Sequence, residues 1–318
     1  MRRLAVLTSG GDASGMNAAI RAVVRSALYR GVEVYGVQQG FEGLINGEIR
    51  QMSAGSVADI IHRGGTILQT SRSEGFKTAA GMEKAAGLLR TLGIGSLIVI
   101  GGNGSLRGGC EFSRLGINVI GIPATIDNDV PFSRSIGFDT AVNTVLEAIN
   151  RLRDTASSHG RIFVIEVMGR DCGEIALAAG VAGGAESVLI PEVKTDLSQV
   201  IDKINQGIDR GKLHSIIIVA EGVYPAMELR DKIQEATGHD TRVSILGHIQ
   251  RGGTPTAVDR ILASCMGKQA VDLICEDQRN LMVAGEGDNI FSLPLEDIVK
   301  GTRKPDLEMF EIARMLSI

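Results

Sequence analysis

Two polar loops in this sequence carry residue types suited to phosphate chemistry. Gly101–Ser105 is rich in glycine, and Thr125–Asp129 offers two carboxylates, Asp127 and Asp129. Each loop directly follows an apolar run that is typical of a buried strand, so two consecutive parallel strands would place the loops side by side. A glycine turn lets backbone N–H groups approach phosphate oxygens. Asn103 is neutral and lies where a metal-bridged phosphate site would be expected to have a full negative charge.

The first glycine loop of the chain, Thr8–Asn17, follows the first apolar run and opens a helix that contains Arg21 and Arg25. Gly101–Ser105 is accordingly the second glycine loop, and Thr125–Asp129 is the carboxylate loop. Its glycines permit close backbone approach at a helix N-terminus. Taken alone, such a loop is more often a structural turn than a ligand site, and two arginines one turn apart are more often a solvated face than an anion clamp. The spacing of GxxxxGK[ST] is absent, and Gly102–Gly108 does not fit GxGxxG, so neither common nucleotide fingerprint applies.

Arginines recur beside other glycine turns and predicted strand ends. A shared anionic pocket explains them more economically than separate surface ion pairs. A lone carboxylate at the end of an apolar strand, Glu221, is suited to binding hydroxyl groups. The glycine segments that contain arginine are Arg63–Ser73 and Leu246–Gly253, and the further arginines are Arg161, Arg170 and Arg242.

Composition limits the possible classes of protein. The 318 residues are 44% hydrophobic, enough for a substantial core and two domains. A net charge of −4 and the lack of a continuous basic tract argue against nucleic-acid binding. The four cysteines are widely spaced, so we expect reduced thiols. No apolar run has the length of a signal peptide or a membrane span, so we expect a cytoplasmic protein that binds no membrane.

Short apolar runs alternate with longer amphipathic stretches, which predicts an α/β fold of mainly parallel sheets flanked by helices. Ligands should gather at the carboxyl ends of the strands. The predicted strands are Leu4–Leu7, Val32–Val37, Leu97–Ile100, Val119–Ile122, Ile162–Val167, Val188–Ile190 and Ile216–Ala220. The predicted helices are Met16–Tyr29, Ala141–Ala156, Leu197–Ile208 and Thr256–Ile274. The polar segment Pro131–Ile136 is the best candidate for a domain boundary.

Five motifs together resemble the bacterial ATP-dependent 6-phosphofructokinase family, and the similarity runs from end to end. They are Leu7–Asp12, Gly101–Ser105, Thr125–Asp129, Met168–Arg170 and Gly247–Gly253. The resemblance implies two Rossmann-like three-layer domains: residues 1–137 with about 251–300 for ATP, and 138–250 with about 301–318 for the sugar phosphate. It implies transfer of the ATP γ-phosphoryl group to the 1-hydroxyl of fructose 6-phosphate with Mg²⁺, as the committed step of glycolysis.

The resemblance also implies roles for individual residues. Asp127 matches the general base, supported by Thr125 and Asp129, and Arg170 matches the residue that stabilises the transferring phosphoryl group. The matching nucleotide contacts are Gly11, Arg72, Ser73, Gly102, Asn103, Gly104, Ser105 and Gly108. The matching sugar-phosphate contacts are Thr125, Asp127, Met168, Gly169, Arg170, Glu221, His248 and Arg251, with Arg161 and Arg242 supplied to the neighbouring subunit.

A second site between the subunits of a homotetramer is implied, where ADP activates and phosphoenolpyruvate inhibits by binding two quaternary states differently. The matching residues are Arg21, Arg25, Asp59, Arg153, Gly184, Glu186, Arg210, Lys212 and His214. Ala54 departs from the pattern, since some members carry an arginine there.

The active-site motifs also depart from the family. Asn103 replaces the magnesium-associated aspartate, Ala124 replaces a glycine, and Ser14 replaces a proline. Loss of one preorganised electrostatic contact commonly costs on the order of 10²-fold or more in rate. Pyrophosphate-dependent relatives usually carry an aspartate at the position of Gly104 and a lysine at that of Ala124, so ATP is the favoured donor. Two hypotheses follow: a working kinase with an altered metal site, or a weakened or inactive paralogue that acts by ligand binding or regulation.

Overall fold

The computed structural model describes residues 2–287, 289–304 and 306–317. The strands are β1 (Arg3–Ser9), β2 (Glu33–Val37), β3 (Ile49–Met52), β4 (Ser96–Gly101), β5 (Asn118–Pro123), β6 (Ile162–Val167), β7 (Ser187–Leu189), β8 (Ser215–Ala220), β9 (Thr241–Ile245), β10 (Leu281–Glu286) and β11 (Asn289–Pro294). The helices are α1 (Met16–Tyr29), α2 (Gly40–Asn46), α3 (Ala79–Thr91), α4 (Asn103–Ser113), α5 (Phe138–His159), α6 (Glu174–Gly183), α7 (Leu197–Asp209), α8 (Ala226–Thr237), α9 (Ala257–Cys275), α10 (Leu295–Lys300) and α11 (Leu307–Leu316).

The chain forms two compact units. The first contains the residues up to Thr140 and Arg251–Arg303, and the second contains Ala141–Gln250 and the residues from Lys304 onward. The polar segment Pro131–Ile136 lies within the first unit, because Ile136 donates its N–H to the Pro123 carbonyl and Arg134 donates its N–H to Gly285. The change of unit falls a few residues later along the chain.

The first unit is built on a seven-stranded sheet in the order β11-β10-β5-β4-β1-β2-β3. The strands from β10 to β2 are parallel, and β11 and β3 are antiparallel edge strands. Leu97–Ile100 is fully buried, because helices cover the sheet on both faces. Beneath α2 and α4, the ring of Phe76 stacks on Phe41 at 4.1 Å between centroids and lies 5.3 Å from Phe112. The predicted parallel α/β architecture is thus confirmed.

Close packing of α1 on α9 fixes the base of the first glycine loop. A β-carbon on Gly267 of α9 would lie 2.6 Å from the Ala22 β-carbon and 2.9 Å from the Ala19 carbonyl oxygen, so only glycine allows this approach. Thr256 caps α9 by accepting the N–H of Asp259. The packing on α9 fixes the position of α1, and the first glycine loop ends at the start of that helix.

The second unit contains a four-stranded parallel sheet in the order β7-β8-β6-β9. The central strand β8 is completely buried, and α7 and α8 cover one side of the sheet through Val200, Ile204 and Leu229. All seven predicted strands and all four predicted helices are present across the two units. Among the described residues, no helix is long and apolar enough to cross a membrane.

Candidate active site

The first glycine loop is tied to the segment that follows β3. Thr8 donates its hydroxyl to the Gln69 carbonyl at 2.8 Å, and Thr70 donates its hydroxyl to the Gly10 carbonyl at 2.7 Å. Asn17, in α1, accepts the N–H of Ile67 at 2.8 Å. These side-chain hydrogen bonds therefore connect the first glycine loop and the start of α1 to residues 67–70.

Gly11 and Arg251 lie against each other within the first unit. The Arg251 guanidinium occupies the space that a β-carbon on Gly11 would need, so a side chain at position 11 would displace it. Ser14 fixes the segment after Arg251, since its hydroxyl lies 3.1 Å from the Gly252 carbonyl oxygen and 2.9 Å from that of Gly253. Ser14 thus connects the first glycine loop to the glycines that follow Arg251.

The second glycine loop becomes the start of α4. Gly102 is its N-cap residue and Asn103 its first residue, so the unpaired N–H groups of the first turn lie in this loop. The first turn contains no acidic residue. Ser105 is buried, whereas Gly104 is exposed and has open space where a β-carbon would project. This arrangement suits an anion.

The carboxylate loop lies beside the start of α4, because β4 and β5 pair in parallel up to Gly101 opposite Pro123. Asp127 is 4% exposed, and its backbone N–H donates to the Thr125 hydroxyl at 3.2 Å. Asn128 has a left-handed backbone, with φ of 52°, and accepts the Ser135 N–H at 2.9 Å. The loop therefore holds Asp127 in a defined position at the carboxyl end of β5.

The predicted nucleotide contacts Arg72, Ser73 and Gly108 lie in the same unit. Arg72 is exposed, and Ser73 donates to a Glu42 carboxylate oxygen at 2.6 Å. A β-carbon on Gly108 would lie 3.3 Å from the Phe41 ring, so this part of α4 packs closely on the aromatic cluster. Ser73 therefore already has a partner on α2.

Asn103 and Asp129 are directly hydrogen-bonded. The Asn103 amide nitrogen lies 3.1 Å from the Asp129 carbonyl oxygen and 2.9 Å from its Oδ2. Asp129 Oδ1 is buried and has no hydrogen-bond partner among the described residues. No group of three or more His, Cys, Asp or Glu that could hold a metal ion occurs there either. One carboxylate oxygen is nonetheless a suitable ligand for Mg²⁺ that is also held by nucleotide phosphates.

In the second unit, Glu221 holds the turn that contains Arg170. Glu221 Oε1 accepts the N–H groups of Gly169 at 3.2 Å and Arg170 at 3.0 Å. Arg170 is exposed and has φ of 53°, a left-handed conformation that this carboxylate stabilises. Gln250 accepts the Met168 N–H at 3.2 Å. Glu221 and Gln250 thus brace the turn on either side of Gly169.

Asp240 brings Arg161 and Arg242 together. Its Oδ2 lies 2.6 Å from Arg161 Nε, and its Oδ1 lies 3.0 Å from Arg242 Nε. Burial acts to raise the pKa of Asp240, but hydrogen bonds from both arginines outweigh it and the pKa is lowered. His248 is exposed in the short helical turn Gly247–Gln250.

The candidate effector residues are divided between the units. Arg21 and Arg25 lie on α1 and Asp59 lies in an exposed left-handed turn, all in the first unit. In the second unit, Lys212 pairs with Glu186, which is 9% exposed. The other second-unit members are Arg153, whose guanidinium donates to the Gly183 and Gly184 carbonyls, exposed Arg210 at the end of α7, and His214, which with Lys212 lines a cavity of about 230 Å³.

Sequence reasoning missed three supporting residues. Asp240 and Gln250 position candidate site groups, and Asp259 anchors the segment after the carboxylate loop through Gly137 and Thr140. Gln250 lies within the Gly247–Gly253 motif, and its place in that motif could have indicated a role in the site. Asp240 and Asp259 gave none, because their partners are distant in the sequence.

Comparisons with known proteins identify the family of this chain. A family profile described as phosphofructokinase matches residues 3–274. An ATP-dependent 6-phosphofructokinase of Natranaerobius thermophilus is 56% identical and one of Alkaliphilus metalliredigens 55% identical, each covering all of both chains.

Solved structures give the same result for the fold. The phosphofructokinase of Saccharomyces cerevisiae superposes with a TM-score of 0.90 at 34% identity, covering all of this chain, which spans 48% of the yeast chain. A pyrophosphate-dependent phosphofructokinase of Marinobacter aquaeolei gives a TM-score of 0.88 at 22% identity, covering all of this chain and 92% of its own, and shows the fold alone. With its profile match and relatives more than half identical from end to end, the chain belongs to the phosphofructokinase family.

Proposed function

We propose that this enzyme transfers the γ-phosphoryl group of ATP to the 1-hydroxyl of fructose 6-phosphate in the committed step of glycolysis. The relatives that match the whole chain carry the name ATP-dependent 6-phosphofructokinase. The observation that carries the proposal is the position of Asp127. This carboxylate is nearly buried, and its loop is hydrogen-bonded to the start of α4, where phosphates can bind.

Asp127 acts as the general base. Its carboxylate accepts the proton of the attacking hydroxyl while the new oxygen–phosphorus bond forms, and the bond from the γ-phosphorus to the departing ADP oxygen breaks. The backbone N–H groups of Gly11 and of the first turn of α4 bind phosphate oxygens. Because little covalent chemistry is asked of the protein, positioning and charge supply most of the acceleration.

Mg²⁺ would lie beside Asn103 and Asp129. When bound, it neutralises phosphate charge. Asp129 would supply one carboxylate oxygen, and the Asn103 side chain orients that carboxylate through its amide N–H group. The remaining ligands would be phosphate oxygens and water, as is common for this ion.

The second unit binds the sugar phosphate. Glu221 and His248 face hydroxyl and phosphate groups, and the turn Met168–Arg170 presents a positive charge that stabilises the transferring phosphoryl group. Arg161 and Arg242 are held ready by Asp240, and in a homotetramer they serve the neighbouring subunit.

ATP is the donor in preference to pyrophosphate. Gly104 has no side chain and adjoins open space, so the start of α4 carries no carboxylate at that position. Ala124 is completely buried and offers no cation. These two positions therefore lack the charged side chains usual in pyrophosphate-dependent relatives.

Regulation by ADP and phosphoenolpyruvate, the homotetramer and a cytoplasmic location are further parts of this proposal. In the second unit, Lys212 pairs with the buried Glu186 and lines a cavity together with His214, and Arg153 donates to the Gly183 and Gly184 carbonyls. Cationic side chains of this kind suit a small anion. An inactive, ligand-binding paralogue is not favoured, since Asp127 and Arg170 are both present and the end-to-end relatives carry the name of the enzyme.

The test is an assay of fructose 1,6-bisphosphate formation with ATP and, in parallel, pyrophosphate. We expect turnover with ATP, and a fall in kcat of about 10²–10⁴-fold for Asp127→Asn with little change in the KM for ATP, because only the base is lost. Asp277→Asn, which removes an exposed carboxylate of the same unit, is the control and should match the unmodified enzyme. Absence of turnover with either donor, despite saturable sugar-phosphate binding, would instead support the binding paralogue.

A further inference from the structure

The side-chain amide of Asn103 links the second glycine loop, Gly101–Ser105, to the carboxylate loop, Thr125–Asp129. Its nitrogen donates one hydrogen bond to the Asp129 carbonyl at 3.1 Å and another to Asp129 Oδ2 at 2.9 Å. Both partners are acceptors only, so the NH₂ group of the amide must face them. Asn103 uses both of its donors on one residue of the neighbouring loop.

A carboxylate at position 103 could not make this contact. It has nearly the same shape as the amide but no proton, and it would place a second negative charge within hydrogen-bond distance of the Asp129 carboxylate. Like charges this close require a cation between them or the protonation of one group. An aspartate would therefore make the contact between the loops depend on a bound ion.

We propose that Asn103 is a positioning residue that takes the place of a bridging cation, so that Thr125–Asp129 is ordered without magnesium. These two loops then form no magnesium site of their own, and the ion binds there only together with nucleotide phosphates. That last clause rests on the proposed function, whereas the ordering of the loop does not.

The remaining charges around the contact agree with this inference. Asp129 Oδ1 is the one oxygen of its carboxylate left over after the amide has bound Oδ2. The first turn of α4 adds no acidic residue, and no group of three metal-ligating residues occurs in the part of the chain that the structure describes. A single carboxylate oxygen binds Mg²⁺ weakly unless phosphates supply further ligands.

Thermal unfolding without nucleotide tests the proposal on the full-length protein, Asn103→Asp and Asn103→Ala. Each protein is melted in EDTA, in millimolar MgCl₂ and in KCl of matched ionic strength. We expect the Tm of the unmodified protein to be the same in all three. Asn103→Asp should melt about 2–5 °C lower in EDTA and recover in MgCl₂ but not in KCl, and Asn103→Ala should melt lower in every solution.

Calorimetric titration with MgCl₂, again without nucleotide, gives a second readout. We expect no binding to the unmodified protein and one site in Asn103→Asp. If Asn103→Asp folds only when magnesium is present, the proposal is supported; if it folds in neither solution, or melts alike in both, the proposal is overturned. A Tm of the unmodified protein that rises with MgCl₂ alone also overturns it. Since neither measurement uses a substrate, a result that overturns this proposal does not affect the proposed kinase activity, which the turnover assay tests separately.

Discussion

The Asp259 carboxylate in α9 accepts two hydrogen bonds from Thr140, one from the backbone N–H at 2.8 Å and one from the hydroxyl at 2.5 Å. Its other oxygen accepts the Gly137 N–H at 2.9 Å. Asp259 is completely buried, and it accepts the N–H of Thr140 in the first turn of α5, one of the groups that have no partner within their own helix. One buried acid thereby fixes the segment that leads out of the carboxylate loop.

Asp259→Asn should destabilise the protein by roughly 2–3 kcal/mol, because an amide can replace only one of the two acceptor oxygens and leaves a buried N–H without a partner. Urea unfolding followed by circular dichroism measures the loss. Thr140→Ser keeps the hydroxyl and serves as the control, with stability close to that of the unmodified protein. Equal stability of Asp259→Asn would show that the contact contributes nothing net.

The same residue predicts a dependence of stability on pH. Burial raises the pKa of Asp259 above its ordinary value of 3.8, although hydrogen bonds from Thr140 and Gly137 oppose the rise. The folded state therefore holds this proton more tightly than the unfolded chain, so the group contributes most at low pH and its contribution is lost as pH rises through the raised pKa. We expect the stability gap between the unmodified protein and Asp259→Asn to widen from pH 7 toward about pH 4. A constant gap would contradict this.

Asp240→Asn should weaken binding of fructose 6-phosphate. Without the carboxylate, the guanidinium groups of Arg161 and Arg242 repel each other and lose their shared partner. We expect the KM for the sugar phosphate to rise roughly tenfold, equivalent to about 1.4 kcal/mol, with kcat little changed. Steady-state kinetics separates the two constants. Asp231→Asn breaks a comparable pair with Arg230 and should leave both unchanged.

Gly104→Asp should impair the use of ATP. A β-carbon at position 104 meets no atom within 4 Å, so we expect the fold to tolerate the substitution, and an acid in the first turn of a helix is mildly stabilising. Its charge opposes the phosphates proposed to bind there, and we expect the KM for ATP to rise about tenfold or more. Gly104→Ala adds bulk without charge and should retain the original KM. An equal effect of both variants would indicate crowding.

Much of the fold was predictable, because parallel strands covered on both faces are apolar at every position. Leu97–Ile100 and Ile216–Ala220 show this pattern, and α1 runs from Met16 to Tyr29 as predicted. The edge strand β9 was missed, since Thr241–Ile245 is polar and partly exposed and gives no such signal.

The candidate site was predictable where it follows strand ends. The expected adjacency of Gly101–Ser105 and Thr125–Asp129 is confirmed by the parallel pairing of β4 and β5. The groups that hold the site in place were not predictable, because they act across long stretches of chain. Asp240 lies 79 residues from Arg161, and Asp259 lies 119 residues from Thr140. An isolated aspartate in a sequence gives no indication of such a distant partner.

The pairing of β10 with β5, in which Leu281 lies opposite Ile120, has a consequence for biosynthesis. As the chain leaves the ribosome, the second unit is synthesised between these strands, so Asn118–Pro123 waits with an open hydrogen-bonding edge until β10 emerges. That interval of about 160 residues lasts roughly 8–32 s at translation rates of about 5–20 residues per second. Nascent chains stalled before β10 should therefore associate with one another or with chaperones, whereas those stalled after β11 should not.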